Sequence, residues 1–147
     1  MTSKELRAEW DSQVEKELHP KLLQLGFSRR GRGWRKQDSS SEKVGFIDFE
    51  RKCLKNHLRV KCYVSVWIPS RRQDEFGIAK GTLAGDLAPG EWIIPEQKAI
   101  EPSIAELQDY IWTRGIPEID RLLQSDRNDH AGVRVGHLDD LDQPSTL

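Results

Sequence analysis

The chain contains little of what usually reveals a protein's chemistry. Only two of its 147 residues are cysteines, Cys53 and Cys62, so neither a disulfide framework nor a cysteine-rich metal site is expected. No apolar run approaches the ~18 residues that a membrane span requires, and the polar N-terminus lacks the apolar core of a signal peptide. The sequence therefore predicts a cytoplasmic protein without a membrane partner, in which both cysteines are reduced.

Motifs for catalysis and metal binding are missing as well. The four histidines include no pair at the i, i+4 spacing of a helical metal site, and there is no G-x-S-x-G or phosphate-binding loop motif. His130 and His137 lie near acidic residues, but in a polar tail that lacks the ordered surroundings a metal needs. We predict no catalytic residue, no cofactor and no metal, and we do not expect an enzyme.

Length and charge indicate a single globular domain. The net charge of −1 gives no overall attraction to nucleic acid or to a membrane surface. We assign residues 1–124 to one α+β domain. Residues 125–147 are polar and acidic, so we assign them to a mobile tail.

The longest regular pattern is an alternation over residues 58–68. Every second residue there is apolar, as in a strand with one buried face: Leu58, Val60, Cys62, Val64, Val66 and Ile68. Residues 44–51 form the preceding strand. A turn centred on Lys55-Asn56 pairs Phe49 with Cys62 and Ile47 with Val64, which puts all four on the buried face. Pro69 is expected to end the strand.

Helices are predicted at both ends of the domain. Thr2 and Glu5 fit a capping box, and an apolar stripe follows until Gly26, with a kink or a new helix expected at Pro20. Ser103 is expected to open a second helix and Pro117 a third. The predicted architecture is an α+β domain with an antiparallel sheet of about four strands, packed by the N-terminal helix and the two C-terminal helices.

Part of this pattern resembles a known bacterial family. Pro20-Lys21-Leu22-Leu23-Gln24-Leu25-Gly26-Phe27 fits P-x-L-x-x-x-G-F, and a basic, aromatic strand follows it. The junction from Tyr110 to Pro117 also fits, with its glycine, aliphatic residue and proline. Over about residues 5–124 the chain is similar to domain-of-unknown-function family 4304. The resemblance implies no activity, cofactor or catalytic residue.

A basic stretch, residues 29–36, is the most suggestive surface. It contains five cations around one tryptophan: Arg29, Arg30, Arg32, Arg35, Lys36 and Trp34. Such a patch could follow phosphates and stack a base on Trp34, or bind another protein. It is also typical of an edge strand whose charges prevent edge-to-edge association, in which case Trp34 belongs to the core.

Tyr63 and Trp67 fall on the polar side of the long strand. They are either covered by a helix or exposed as anchors for a protein partner. Together with the basic stretch they complete our candidate partner-binding residues. We predict a non-enzymatic protein-binding module, such as an immunity-type or regulatory protein. Two alternatives stay open: a nucleic-acid-binding domain that uses residues 29–36, and an enzyme whose site is not visible in the sequence.

Overall fold

A computed structural model describes residues 1–39, 42–73, 79–125 and 134–137. It opens with one long helix, α1 (Ser3–Gln24), continues into a sheet, and returns to helix in α2 (Ile100–Tyr110) and α3 (Ile116–Gln124). A π-helical turn, Ile111–Gly115, joins α2 to α3, and a short 3-10 turn, Gln97–Ala99, precedes α2. The predicted α+β class is confirmed.

Both ends of α1 follow from local side-chain and glycine chemistry. The hydroxyl of Thr2 accepts a hydrogen bond from the backbone N–H of Glu5 at 3.2 Å, which completes the predicted capping box. At the other end Gly26 adopts φ +91°, and the N–H of Phe27 bonds the carbonyl of Leu22 at 3.0 Å. This is a Schellman ending, which needs a left-handed residue such as glycine.

Pro20 does not interrupt α1, so of the two expected alternatives the new helix is wrong, while the kink stays a prediction. The helix is continuous from Ser3 to Gln24, although proline removes one backbone donor. Leu18 and Leu22 lie on either side of Pro20 and are both fully buried. Their burial keeps one apolar stripe on the sheet across the proline and favours a single helix.

The sheet has seven strands among the described residues, more than the predicted four or so. They are β1 (Ser28–Arg30), β2 (Gly33–Gln37), β3 (Val44–Cys53), β4 (Leu58–Gln73), β5 (Ala79–Ala84), β6 (Gly90–Ile94) and β7 (Arg134–His137). The order is β1-β2-β3-β4-β5-β7, with β6 also paired to β4, and every pair is antiparallel. The additional strands are short or come from glycine-rich and polar segments with little alternation.

The predicted register of β3 and β4 is confirmed. Phe49 pairs with Cys62 and Ile47 with Val64, and the turn closes where the N–H of Leu54 bonds the carbonyl of His57 at 2.9 Å. The end predicted at Pro69 is wrong, because β4 continues to Gln73. A register shift against β5 between Pro69 and Gln73 accommodates the missing proline donor.

One edge of β4 is shared by two strands. β6 pairs with its first part, from Leu58 to Cys62, and β5 pairs with its later part from Val66 onward. Between them, residues 63–65 of β4 pair with neither strand. The sheet is therefore split along this edge and continuous only through β3 and β4.

The two faces of the sheet differ in their cover. The first face joins the helices in one core, in which Ile47, Val60 and Val64 share a cluster with residues of α1, α2 and α3. The second face holds a separate and smaller cluster: Val44, Phe46, Trp67 and Leu83. The helices therefore pack on the first face.

A buried lysine beside β3 forms hydrogen bonds to the C-terminal end of α3. Lys43 precedes β3 and is 5% exposed. Its ammonium donates to the carbonyl oxygen of Leu122 at 3.1 Å and to that of Ser125, where α3 ends. A cation at this position satisfies the last carbonyls and complements the negative end of the helix dipole.

Two predicted boundaries differ from the structure. Ser103 lies buried inside α2, which begins at Ile100 after the 3-10 turn, whereas Pro117 does lie in the first turn of α3. Four residues of the predicted tail form β7, which pairs with β5 through backbone contacts that need no apolar side chain. Apart from Ser125, the rest of that tail lies outside the described residues, and its mobility stays a prediction.

Candidate interaction surfaces

The basic stretch folds as a tight hairpin of β1 and β2. Gly31 lies in the turn at φ +55°, a conformation that glycine adopts without strain. Arg29 pairs with Trp34 and Arg30 with Gly33 across the hairpin. The alternation sends Arg29, Trp34 and Lys36 to the first face and Arg30 and Arg35 to the second. The basic, aromatic strand that the sequence predicts after Phe27 is present as β2.

Trp34 belongs to the core, which corrects its place among the candidate partner-binding residues. Its side chain is 0% exposed. Its indole Nε1 donates to His19 Nδ1 at 3.0 Å, and its ring meets Phe49 edge-on at 5.9 Å. A ring held in this way has no free face on which a base could stack.

Most cations of the hairpin are neutralised by carboxylates from other elements. The pairs are Arg29–Glu15 at 2.6 Å, Arg30–Asp48 at 3.0 Å, Arg32–Asp11 at 3.5 Å and Lys36–Asp120 at 4.0 Å. Arg35 instead bonds the amide oxygen of Gln37 at 3.3 Å. A stretch that is purely basic in sequence is therefore close to balanced in charge once the chain folds.

Two of these arginines also pack on aromatic rings. The guanidinium of Arg29 lies 4.5 Å from the centre of the Trp34 ring, and that of Arg30 lies 4.6 Å from the centre of the Phe46 ring. Burial raises the pKa of the Asp48 carboxyl, and the charge of Arg30 lowers it by less. These contacts indicate that the hairpin arginines stabilise the fold.

A small depression lies beside the hairpin, between α1 and β3. Trp10, Val14 and Phe49 supply apolar walls, while Asp11 pairs with both Arg32 and Arg51. Arg32 is the most accessible of these groups, with 61% of its side chain exposed. The depression is shallow and already holds its own counter-charge.

The second sheet face carries a group of charged and aromatic residues at the β6 side. We call this group the charged face: Glu50, Arg59, Lys61, Tyr63, Glu91 and Ile93. Cross-strand pairing brings Lys61 between Glu50 and Glu91, and places Arg59 opposite Ile93. Arg59 also bonds Glu91 at 2.7 Å. Both signs of charge are interspersed, and Ile93 stands among them at 60% exposure.

Tyr63 lies half-buried at the centre of the charged face. Its hydroxyl donates to the carboxylate of Glu50 at 3.2 Å, which fixes the ring against its neighbours. Burial, and then the negative charge of Glu50, raise the pKa of the Tyr63 phenol. Of the two aromatic candidates on this strand, Tyr63 is the one with accessible surface.

Trp67 is buried, which corrects its place among the candidate contact residues. Its side chain is 2% exposed and packs with Val44, Phe46 and Leu83, without joining the helix-covered core. The ring lies across Gly81, where an added β-carbon would be 2.1 Å from the ring atoms Cε2 and Nε1. Residues 1–39, 42–73, 79–125 and 134–137 supply no hydrogen-bond partner for its indole N–H.

Both cysteines are free thiols, Cys62 buried and Cys53 half-buried. Cys62 is fully buried in the core, and burial raises the pKa of its thiol far above the ordinary value, so the nucleophilic thiolate is disfavoured. The Sγ atom of Cys53 is 3.6 Å from the carbonyl oxygen of Ser3. Within the described residues no three histidine, cysteine or acidic side chains form a metal-binding group. His130 and the acidic residues around it lie outside that part of the chain.

Sequence reasoning missed the carboxylates that decide the character of the basic stretch. Asp11 and Glu15 come from α1, Asp48 from β3 and Asp120 from α3. Their spacing in sequence carries no signal of these contacts. It also missed Ile93 and Glu91, because the pairing of β6 with β4 is long-range.

Comparisons with known proteins leave the chain without an assigned relative. No family model, no curated protein and no solved structure matches it. The resemblance to domain-of-unknown-function family 4304 therefore stays a prediction. Among the residues that the structure describes, no helix combines the length and apolarity needed to cross a bilayer.

Proposed function

We propose that the protein is a non-enzymatic protein-binding module and that the charged face is its contact surface. The observation that carries this proposal is the contrast between the two faces of one sheet. The helices pack on the first face, while the β6 side of the second presents Tyr63, Ile93 and ion pairs of both signs. An exposed apolar side chain within a polar rim is the composition of protein contact sites.

The chemistry of this face favours a protein over a nucleic acid. A phosphate backbone requires an excess of accessible positive charge, whereas here Glu50 lies opposite Lys61 and Glu91 bonds Arg59. Interspersed charges instead suit a partner protein with the complementary charge pattern. One alignment of the two surfaces brings opposite charges together, whereas other alignments bring like charges together. Tyr63 and Ile93 supply the apolar area that such patterns surround. Immunity-type and regulatory proteins are two classes that would use such a face.

The test is a matched pair of surface substitutions. Ile93→Asp places a carboxylate on the charged face, opposite Arg59, where the fold tolerates it. Leu23→Asp makes the same kind of change on α1, at a side chain that is also exposed. We expect a protein captured from extracts of the source cells by the wild-type chain to be retained by the Leu23 variant and lost by the Ile93 variant. Titration calorimetry with that purified protein should show the same order.

Two results contradict the proposal. A partner that binds both variants equally would place the contact surface elsewhere. Oligonucleotide binding by the wild-type chain, measured by fluorescence anisotropy, with sub-micromolar affinity and a steep loss with salt, would favour the nucleic-acid alternative. Neutralising Arg29, Arg30 and Arg32 would not decide this second point, since each is paired with a carboxylate of the fold.

A further inference from the structure

The outer edge of β5 is occupied by a very short strand. β7 has four residues and pairs with β5 so that Gly136 lies opposite Gly81 and Val135 opposite Thr82. The glycine pair provides backbone contacts without any side-chain contact, and cross-strand side-chain pairs normally supply much of a sheet's stability. At this glycine pair β7 is therefore held through its backbone alone.

A buried donor beside this edge lacks an acceptor within the part of the chain that the structure describes. The Nε1 atom of Trp67 is buried and has no hydrogen-bond partner among the described residues, although buried indole N–H groups usually find an acceptor. The same atom lies 2.1 Å from the point that a β-carbon on Gly81 would occupy. The unsatisfied donor thus lies over Gly81, the residue of β5 that pairs with Gly136 of β7.

Register places the residue opposite Gly81 within reach of this donor. Trp67 pairs with Leu83, and Leu83 and Gly81 share one side of β5, so Gly136 also belongs to the side that carries the Trp67 ring. Directly paired residues of antiparallel strands have β-carbons about 4.5–5.5 Å apart. A short side chain with an acceptor at the position of Gly136 would therefore reach the indole N–H.

We propose that the edge of β5 is a strand-addition site for an extended segment of a partner protein. That segment carries asparagine, aspartate, serine or threonine at the position that Gly136 holds in β7. Its backbone adds to the sheet, and its acceptor satisfies the Trp67 N–H. β7 is the internal occupant that such a segment displaces. In strand addition the backbone bonds supply affinity and the side-chain positions supply specificity, and the Trp67 N–H is the specificity element here.

This site is separate from the charged face. It uses Trp67, Gly81 and β7, whereas the charged face uses residues of β3, β4 and β6. The two proposals can therefore fail independently.

The direct test uses peptides and a full-length chain in which β7 is released. Arg134→Pro with Val135→Pro removes two successive backbone donors, one of which must belong to the ladder with β5. Three peptides carry residues 132–139 of this chain with glycine, alanine or asparagine at the position of Gly136. We expect the asparagine peptide to bind about tenfold more tightly than the alanine peptide, as one hydrogen bond to a buried donor allows. The unsubstituted chain should bind all three more weakly, because β7 competes from within the chain.

Trp67→Phe is the matched control, since phenylalanine keeps an aromatic ring and lacks the N–H. In that background the asparagine and alanine peptides should bind equally. By NMR, one of the five tryptophan indole signals should move on addition of the asparagine peptide, and Trp67→Phe should remove that same signal.

A second measurement needs no added peptide. Gly136→Asn supplies the acceptor within the intact chain, and Gly136→Ala controls for the loss of glycine. We expect the asparagine variant to melt at a higher temperature than the alanine variant, and the difference to vanish with Trp67→Phe.

Several outcomes would overturn the proposal. They are equal binding of the asparagine and alanine peptides, an asparagine preference that survives Trp67→Phe, or absence of binding by every peptide. A wild-type dimer that the double-proline variant abolishes would also overturn it, because another copy's β7 would then fill the edge.

Discussion

Replacing Gly81 with alanine tests the close packing that defines the second face. The indole of Trp67 lies across this glycine, and an added methyl group would be 2.1 Å from two ring atoms. Carbon atoms in good contact are about 3.5–4.0 Å apart. The ring or the strand would thus have to move by about 1.5 Å to restore an ordinary contact.

The surroundings leave no room for that movement. Trp67 is 2% exposed and packs against Val44, Phe46 and Leu83. Overpacking of this kind costs about 1–3 kcal/mol. For a chain of this length each kcal/mol lowers the melting temperature by about 2–4 °C, so we expect a drop of about 2–12 °C.

A double-mutant cycle measured by urea and thermal unfolding identifies the cause. Trp67→Leu removes the ring, so Gly81→Ala should cost almost nothing in that background, which gives a coupling free energy of about 1–3 kcal/mol. Gly85→Ala is the matched control, because its added β-carbon would come no closer than 3.0 Å to a neighbouring atom. Its cost should be clearly smaller.

The reasoning would be refuted by additivity. If Gly81→Ala is as costly without the indole as with it, the strain lies in the backbone of β5 and the packing of Trp67 on Gly81 is not the reason for the glycine. A Gly81→Ala chain as stable as the wild type would refute the packing argument outright.

Three further predictions concern the core, the cap of α3 and the tyrosines. Val64→Asp buries an unpaired charge and should unfold the chain, whereas Lys61→Asp on the opposite face should be tolerated far better; similar thermal melts for the two would defeat the assignment of faces. Lys43→Met leaves carbonyls at the end of α3 unsatisfied and should cost about 1–3 kcal/mol in urea unfolding, well above the cost of Lys61→Met. Burial raises the pKa of Tyr110 to about 12, and burial and Glu50 raise that of Tyr63, so at pH about 10, where the denatured chain is half ionised, the folded chain should show less tyrosinate absorbance than the denatured chain. Because the unfolded state loses these protons at a lower pH, the free energy of unfolding should keep its full tyrosine contribution below pH ~10 and fall as the pH rises toward the pKa values of the folded state. Titration of both phenols in the folded chain at their ordinary pKa would contradict this.

The part of the fold that sequence predicted well is the part governed by local pattern. Alternation in β4 and the turn at Lys55-Asn56 together set the pairing of β3 with β4. The capping box at Thr2 and the left-handed Gly26 set both ends of α1. Each of these features depends on residues that are close together in the sequence, within one helix end or within two consecutive strands.

The errors arose where tertiary packing outweighed a local rule. Proline normally breaks a helix at a cost of about 3 kcal/mol, yet full burial of Leu18 and Leu22 favours continuity through Pro20. A register shift carries β4 past Pro69. In both places, interactions with residues distant in the sequence offset the local free-energy cost of proline. Such interactions are not visible in a single sequence.

The candidate site was predictable only in part. Tyr63 was identified from alternation, and the structure keeps it on the accessible surface. Trp34 and Trp67 were candidates because tryptophan on a polar strand stands out, but packing buries both. The charge balance of the hairpin depends on carboxylates from α1, β3 and α3, so no inspection of residues 29–36 alone could reveal it.

The split edge of β4 has a mechanical consequence. β6 and the charged face form one part of the sheet, which we call a leaf, while β5, β7 and the Trp67 cluster form a second leaf. Residues 63–65 of β4 lie at the boundary between the two leaves, which we call the seam. The two leaves are continuous only through β3 and β4, so each can twist about the seam without stretching a hydrogen bond on that edge. Strain introduced at one leaf reaches the other through the β3–β4 hairpin. Amide hydrogens at the seam should therefore exchange with solvent faster than those paired on both sides within β4.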